Sequence, residues 1–154
     1  MDSFKVEGRV KLDCHTPEGK LKWTTGWINN STMNAAFAVF SGLAGNTGSQ
    51  TAFTYLAVGT SNTAVSASQT ALGGEISTNG LARAAATVSR VTTTQTNDTL
   101  QLVKVWTASG TSIVEEIGYF NASSSGVMGG RALTSTKTVV NGETLTSTYQ
   151  IKFS

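Results

Sequence analysis

Residues 4 to 14 alternate almost without error between apolar and charged side chains. Phe4, Val6, Gly8, Val10, Leu12 and Cys14 fall on one face, and Lys5, Glu7, Arg9, Lys11 and Asp13 on the other. A period of two is the signature of a half-buried strand, because successive side chains leave opposite faces of the pleat. At ~3.3 Å per residue such a strand extends about 36 Å, long for a globular domain. A strand of that length can reach past its own domain, so Phe4, Val6, Val10 and Leu12 are expected to form a self-assembly arm. Thr16 to Lys20 carries Pro and Gly placed for a turn. Leu21, Trp23, Thr25 and Trp27 then alternate with Lys20, Lys22, Thr24 and Gly26, and residues 1–28 read as an N-terminal β-hairpin.

Only one long helix is predicted, at about residues 32–43. Met33, Phe37, Phe40 and Leu43 recur at helical spacing with alanines between them. Asn29, Asn30, Ser31 and Thr32 supply N-cap candidates, and Ala44-Gly45-Asn46 ends the helix with Gly free to turn left-handed. Gly45 to Thr51 and Ser61 to Ser68 are loops. Tyr55 to Thr60 reads as a buried strand stopped by Gly59, and Gln69 to Ile76 as a short helix capped by Ser66 or Ser68 and ended at Gly73-Gly74. Strands follow at Arg83–Thr94, Leu100–Ala108, Thr111–Phe120 and Val127–Leu133. Asn141-Gly142, a type I′ signal, precedes the last strand, where Leu145, Tyr149, Ile151 and Phe153 line one face. Short strands at regular spacing predict a mainly β, antiparallel sandwich or jelly-roll-like domain. It is read as one domain over 1–154, with the hairpin preceding a unit over 30–154.

At 154 residues a chain buries about 70% of its unfolded surface and needs no metal or disulfide staple. Charged residues are 13% of the chain, against roughly 25% in ordinary soluble domains, while hydrophobic residues are 39%. That balance is expected of a surface facing other protein chains and argues against disorder, which needs low hydrophobicity and high net charge. A formal charge of +2 is too small for nucleic-acid binding through phosphates. No run reaches the ~18 apolar residues of a membrane span. The charged opening MDSFKVEGRV has no apolar core, so synthesis in a cytoplasm is expected.

No catalytic constellation is legible. Cys14 and His15 are the only Cys and the only His, and strand neighbours point to opposite faces, which separates nucleophile from base. One Cys and one His fall short of zinc ligand sets, so no metal or cofactor is expected. Glu115-Glu116 is the only adjacent acidic pair; one carboxylate is expected to face inward and pair with Arg83, Arg90 or Arg131. Gly59, Gly73-Gly74 and Gly129-Gly130 match neither phosphate-binding glycine pattern. The sequons at Asn30, Asn97 and Asn121 mean little without a secretory signal. Trp23, Trp27 and Trp106 are read first as packed anchors, with stacking on a sugar as the alternative.

The stretch from Tyr55 to Asn121 resembles the N-terminal domain of the phage tail-collar fibre family. There a Leu-Ala-Val-Gly strand is followed by a Thr-Ala-Leu turn with a Glu, then an Arg, then a Glu-x-Gly-aromatic-Phe ending. Here the corresponding residues are Leu56 to Gly59, Thr70, Leu72 and Glu75, Arg83, and Glu116, Gly118 and Phe120, with Asn121 following. The helix behind its Asn-rich caps is similar to the one ahead of that unit in the family, although Asn34-Ala35-Ala36 departs from its pattern. The resemblance implies a virion of a tailed bacteriophage. No fibre shaft follows and a charged hairpin precedes, so the expectation is a free-standing, non-enzymatic capsid decoration or cement protein. It would oligomerise as a trimer on the major capsid protein, away from nucleic acid and membrane. A tail or baseplate adaptor is the alternative, and a carbohydrate- or receptor-binding module the second.

Overall fold

The N-terminal alternation becomes a strand, and ten more strands and one helix follow it. The structure, a computed structural model, describes residues 3–154. Its elements are β1 (Val6–His15), β2 (Leu21–Thr24), β3 (Ile28–Asn29), β4 (Ser31–Thr32), α1 (Asn34–Gly45) and β5 (Tyr55–Gly59). After these come β6 (Ala84–Ala85), β7 (Thr87–Val91), β8 (Thr99–Thr107), β9 (Ser112–Phe120), β10 (Met128–Val139) and β11 (Thr144–Phe153). The first sheet runs β2-β1-β11-β8-β7, with β3 also on β1, and the second runs β4-β10-β9-β5-β6. All pairings are antiparallel. The chain is a mainly β sandwich with a single helix among the described residues. Among the described residues no helix is long and apolar enough to cross a membrane.

Alternation decides which side of the first sheet is core. Val10, Leu12 and Cys14 of β1, Leu102 and Trp106 of β8, and Leu145, Tyr149 and Ile151 of β11 all point inward. Leu56 and Val58 of β5, Ile117 and Tyr119 of β9 and Ala132 of β10 meet them from the second sheet. Tyr119 and Tyr149 pack edge to face across the interface, ring centroids 4.9 Å apart.

The N-terminal strand is part of this sandwich, which corrects the expectation of an arm. β1 pairs with β11 over all ten residues, from Val6 opposite Phe153 to His15 opposite Thr144. Its other edge is taken by β3 at Arg9 and Val10 and by β2 at Asp13 to His15. Between them Thr25 exchanges two hydrogen bonds with Leu12, one through its hydroxyl and one through its amide, both 2.9 Å. An arm for strand addition needs a free edge, and from Arg9 to His15 β1 keeps none; Val6 and Glu7 are paired on the β11 side alone. Val10 and Leu12 are fully buried, Val6 is half-buried, and Phe4 alone of the four stands exposed. Just before β1, Lys5 exchanges both backbone hydrogen bonds with Ser154, which extends the β1–β11 ladder by one pair.

Four local expectations are not met. Ala36, Val39 and Gly42 are the buried side of α1, whereas Phe37 and Leu43 are 50% and 39% exposed. The small side chains let the helix settle closely, and the large ones are left facing outward. None of the Asn, Ser and Thr candidates caps α1: Met33 occupies that position in extended backbone, and the Asn34 amide donates to the Ala67 carbonyl. At the other end Asn46, with φ 48°, takes the left-handed cap expected of Gly45. Gln69 to Ile76 forms turns and no helix, because the amides of Gly73 and Gly74 donate to a side chain.

Further along, the single strand expected over Arg83–Thr94 is broken at Ala86. There the chain leaves the second sheet as β6 and enters the first as β7, with the Ala86 amide donating to Thr54. The turn at Asn141-Gly142 also differs from the expected type I′. That turn needs positive φ at both central residues, and only Gly142 has it. β10 and β11 belong to different sheets, so the turn bridges layers and closes no hairpin.

Deleting residues 4–14 would remove an interior strand and three core side chains. The truncated chain is expected to lose its cooperative thermal transition by circular dichroism and to bind a hydrophobic dye. An unchanged transition would contradict this placement of β1.

Candidate functional site

The residues that carry the family-like pattern converge on the outer face of the second sheet. Pairing sets Gly59 of β5 opposite Glu116 of β9, and Ala57 opposite Gly118. Arg131 of β10 lies opposite Gly118 on the other side. These positions share the face that points away from the sandwich core, and the segment from Thr60 to Ala82 folds over them. Leu72 of that segment joins Met33, Ala57, Phe120 and Met128 in a second, smaller apolar cluster. The second sheet is therefore covered on both faces.

Glu116 is the centre of this layer. Its side chain is fully buried and its carboxylate accepts four hydrogen bonds. Oε1 takes the amides of Gly74 (2.8 Å) and Ser61 (3.3 Å). Oε2 takes the Gly73 amide (3.1 Å) and Nε of Arg131 (2.6 Å). Arg131 is just as deeply buried, and its guanidinium also donates to Thr63 O (2.9 Å), Gln69 Oε1 (3.2 Å) and Ser61 O (3.3 Å). Gly59 is required by this carboxylate, since a Cβ there would run into it. Burying an isolated charge costs several kcal/mol, and a pair is tolerated when its remaining hydrogen-bonding capacity is filled, as here.

A second ion pair closes the same segment at its far end. Arg83 meets Glu75 in a two-point contact, Nε to Oε1 at 2.9 Å and an Nη to Oε2 at 2.6 Å. Its other Nη donates to the carbonyls of Ala122 (3.1 Å) and Ser125 (2.8 Å), and its plane lies 3.6 Å over the Phe120 ring. Glu75 keeps 29% of its side chain exposed, so this pair is weaker in stabilisation than the buried one. Within the pattern, Leu56, Gly59, Leu72, Glu75, Arg83, Glu116, Gly118 and Phe120 are joined in this unit or the core beneath it. Thr70 is exposed on the loop.

Arg131 was one of three donors open to the inward carboxylate, and the strand register selects it. The loop carbonyls that complete its guanidinium had no signal in the sequence. Glu115 points away and accepts the Thr136 hydroxyl at 2.6 Å. Arg90 lies exposed on the first sheet.

Elsewhere the candidate chemistry is consumed by structure. Cys14 Sγ donates to Glu143 Oε2 (3.4 Å), and Lys22 Nζ and the Val140 amide also bind that carboxylate. Burial, then the contact with Glu143, pushes the Cys14 thiol up to about 11. Burial opposes ionisation of Glu143, yet Lys22, the Val140 amide and the thiol outweigh it and hold its carboxyl below the ordinary value. His15, the strand neighbour of Cys14, is half-buried. In the 92–98 turn, desolvation would raise Asp98. The amides of Gln95, Thr93 and Thr94 and the Thr99 hydroxyl prevail and hold it well below the usual carboxylate range. Among the described residues no three His, Cys, Asp or Glu side chains converge.

The tryptophans divide by position. Trp106 is buried and donates to Ala82 O at 2.8 Å; Trp23 is half-buried and donates to Thr138 O at 3.0 Å. Trp27 is 43% exposed, with the Arg9 guanidinium 4.2 Å from its ring centroid. Comparison of the chain with family models, curated proteins and solved structures finds no match.

Glu116→Ala strands a buried guanidinium, and a loss of about 3–5 kcal/mol in urea unfolding is expected. The melting temperature should fall by roughly 6–20 °C. Thr70→Ala should stay within about 0.5 kcal/mol of wild type, and equal effects of the two changes would remove the clamp from its assigned role.

The raised Cys14 value has a definite sign. Its stabilising contribution is complete below the ordinary thiol value near 9 and is lost as pH climbs toward about 11. Stability measured across that window should decline, and Cys14→Ala should flatten the decline. At pH 8 a thiol reagent should label Cys14 only in denaturant.

Proposed function

We propose that the chain is a non-enzymatic structural protein of a tailed-bacteriophage virion. In this reading it is a capsid decoration or cement protein that self-associates and clamps neighbouring copies of the major capsid protein. One observation carries the reading. The residues behind the family resemblance form a single clamp whose charges are spent on one another and on loop amides. Chemistry on a substrate would need at least one ionised group free to meet it, whereas here each is already paired.

Surface composition supports the assembly part. Beyond the core, Phe4, Leu21, Trp27, Phe37, Leu43, Val88, Val105 and Ile113 are exposed, in a chain with 13% charged residues. Scattered exposed apolar residues are ordinary, but several large ones with so few charges between them favour burial against protein. The added buried area would strengthen a shell against internal pressure. The same clamp also suits an adaptor in the tail or baseplate, and location separates the two readings.

Electron cryomicroscopy of particles carrying this chain tests the proposal. Density for it is expected at capsid lattice points, in trimeric clusters, and particles lacking it should release their genome at lower temperature. Density at the tail tip would replace the decoration role with the adaptor, and absence from the particle would overturn both.

A further inference from the structure

Five of the chain's six phenylalanines line one groove. Phe4, Phe37, Phe40, Phe53 and Phe153 enclose about 770 Å³ between α1 and the inner face of the first sheet. That face is core elsewhere, but here it is open, flanked by α1 and by Ala52 to Thr54. Val88 and Arg90 of β7 stand opposite Leu102 and Leu100 of β8, so they belong to the same inward face. Val88 is nonetheless 46% exposed. Arg90 is the one charged side chain in the lining and takes part in no ion pair among the described residues.

β7 is also the last strand of its sheet, and its outer edge is unpaired among the described residues. Its sequence, Thr-Val-Ser-Arg-Val, contains no Pro and one charge. Natural edge strands are normally protected by charge, Pro or a bulge, and an unprotected edge is a template for another strand. A strand laid against β7 would make main-chain bonds along it. Every second side chain would enter the groove beside Val88, and Arg90 would call for a carboxylate among them.

We propose that β7 and the phenylalanine groove form a strand-addition site for an extended segment of another protein, apolar at alternate positions and carrying one carboxylate that meets Arg90. A second copy of this chain is a poorer complement. Its other edge strands β2, β3, β4 and β6 read Leu-Lys-Trp-Thr, Ile-Asn, Ser-Thr and Ala-Ala, with no acidic residue in any of them. The proposal rests on the assembly reading only for where such a partner is found, since the site is tested without any particle.

The probe is a nine-residue capped peptide that alternates Thr with Val or Leu and carries one Glu, placed in turn at each inward position. It is titrated into the full chain, with amide exchange of β7 as the readout. Saturable binding is expected for at least one register, with protection of β7 amides. Replacing Glu by Lys should weaken it about tenfold, and Arg90→Gln should abolish that difference. Val88→Lys should remove binding, while circular dichroism verifies the fold. The site is overturned if no register binds at roughly 1 mM, or if binding ignores both the Glu-to-Lys exchange and Arg90→Gln. Concentration-dependent protection of β7 without peptide would assign the edge to a second copy and likewise overturn it. Peptide binding by a chain absent from particles would sink the virion reading and leave this one standing.

Discussion

A carboxylate cannot lie fully buried unless every direction it accepts from is filled, and Glu116 meets that demand with three amides and a guanidinium. The three amides belong to a segment with no regular structure of its own. The guanidinium reaches onward to three oxygens of the same segment. One ion pair therefore fixes the path of some twenty residues of loop (Thr60 to Ala82), and through them the cover of the second sheet's outer face. Leu72 and the small apolar cluster add burial, but the direction in which the loop runs is set by hydrogen bonds. Low dielectric strengthens such a network and makes each missing member costly.

Where one face of an element is wholly buried, its residues could be read directly. β1 and β11 alternate cleanly because the sandwich interior lies on one side of each, and their inward apolar residues were legible, though not the buried Ser147 or the exposed Phe4. β5 was legible as a buried run. What could not be read was any position whose partner is distant in sequence. Gly73 and Gly74 bond a carboxylate more than forty residues away, and the expected short helix gave way to that demand. Phe37 and Leu43 had the right spacing for a buried stripe, but Ala36, Val39 and Gly42 allow closer approach and took the core side. Periodicity reports that a helix has faces and leaves open which of them the neighbours will cover. At the clamp, a buried Glu paired with an Arg was foreseeable because adjacent side chains diverge on a strand, while the choice of Arg131 depended on register.

The sandwich is also uneven. The inner face of the first sheet is left partly open at β7, where Val88 is exposed and Phe37 and Leu43 of α1 line the opening. Phe37 and Leu43 line this groove without filling it, so it stays open and aromatic surface is concentrated where the sheet edge is bare.

The pair that extends the β1–β11 ladder has a mechanical corollary. Lys5 and Ser154 sit on neighbouring antiparallel strands at the same end of the ladder. Tension applied between them would open hydrogen bonds one after another, as in a zipper. Load entering through the side of the molecule would instead be shared by several rungs at once. A fold with this geometry withstands force when it is gripped along its flank and gives way easily when it is pulled by its tips.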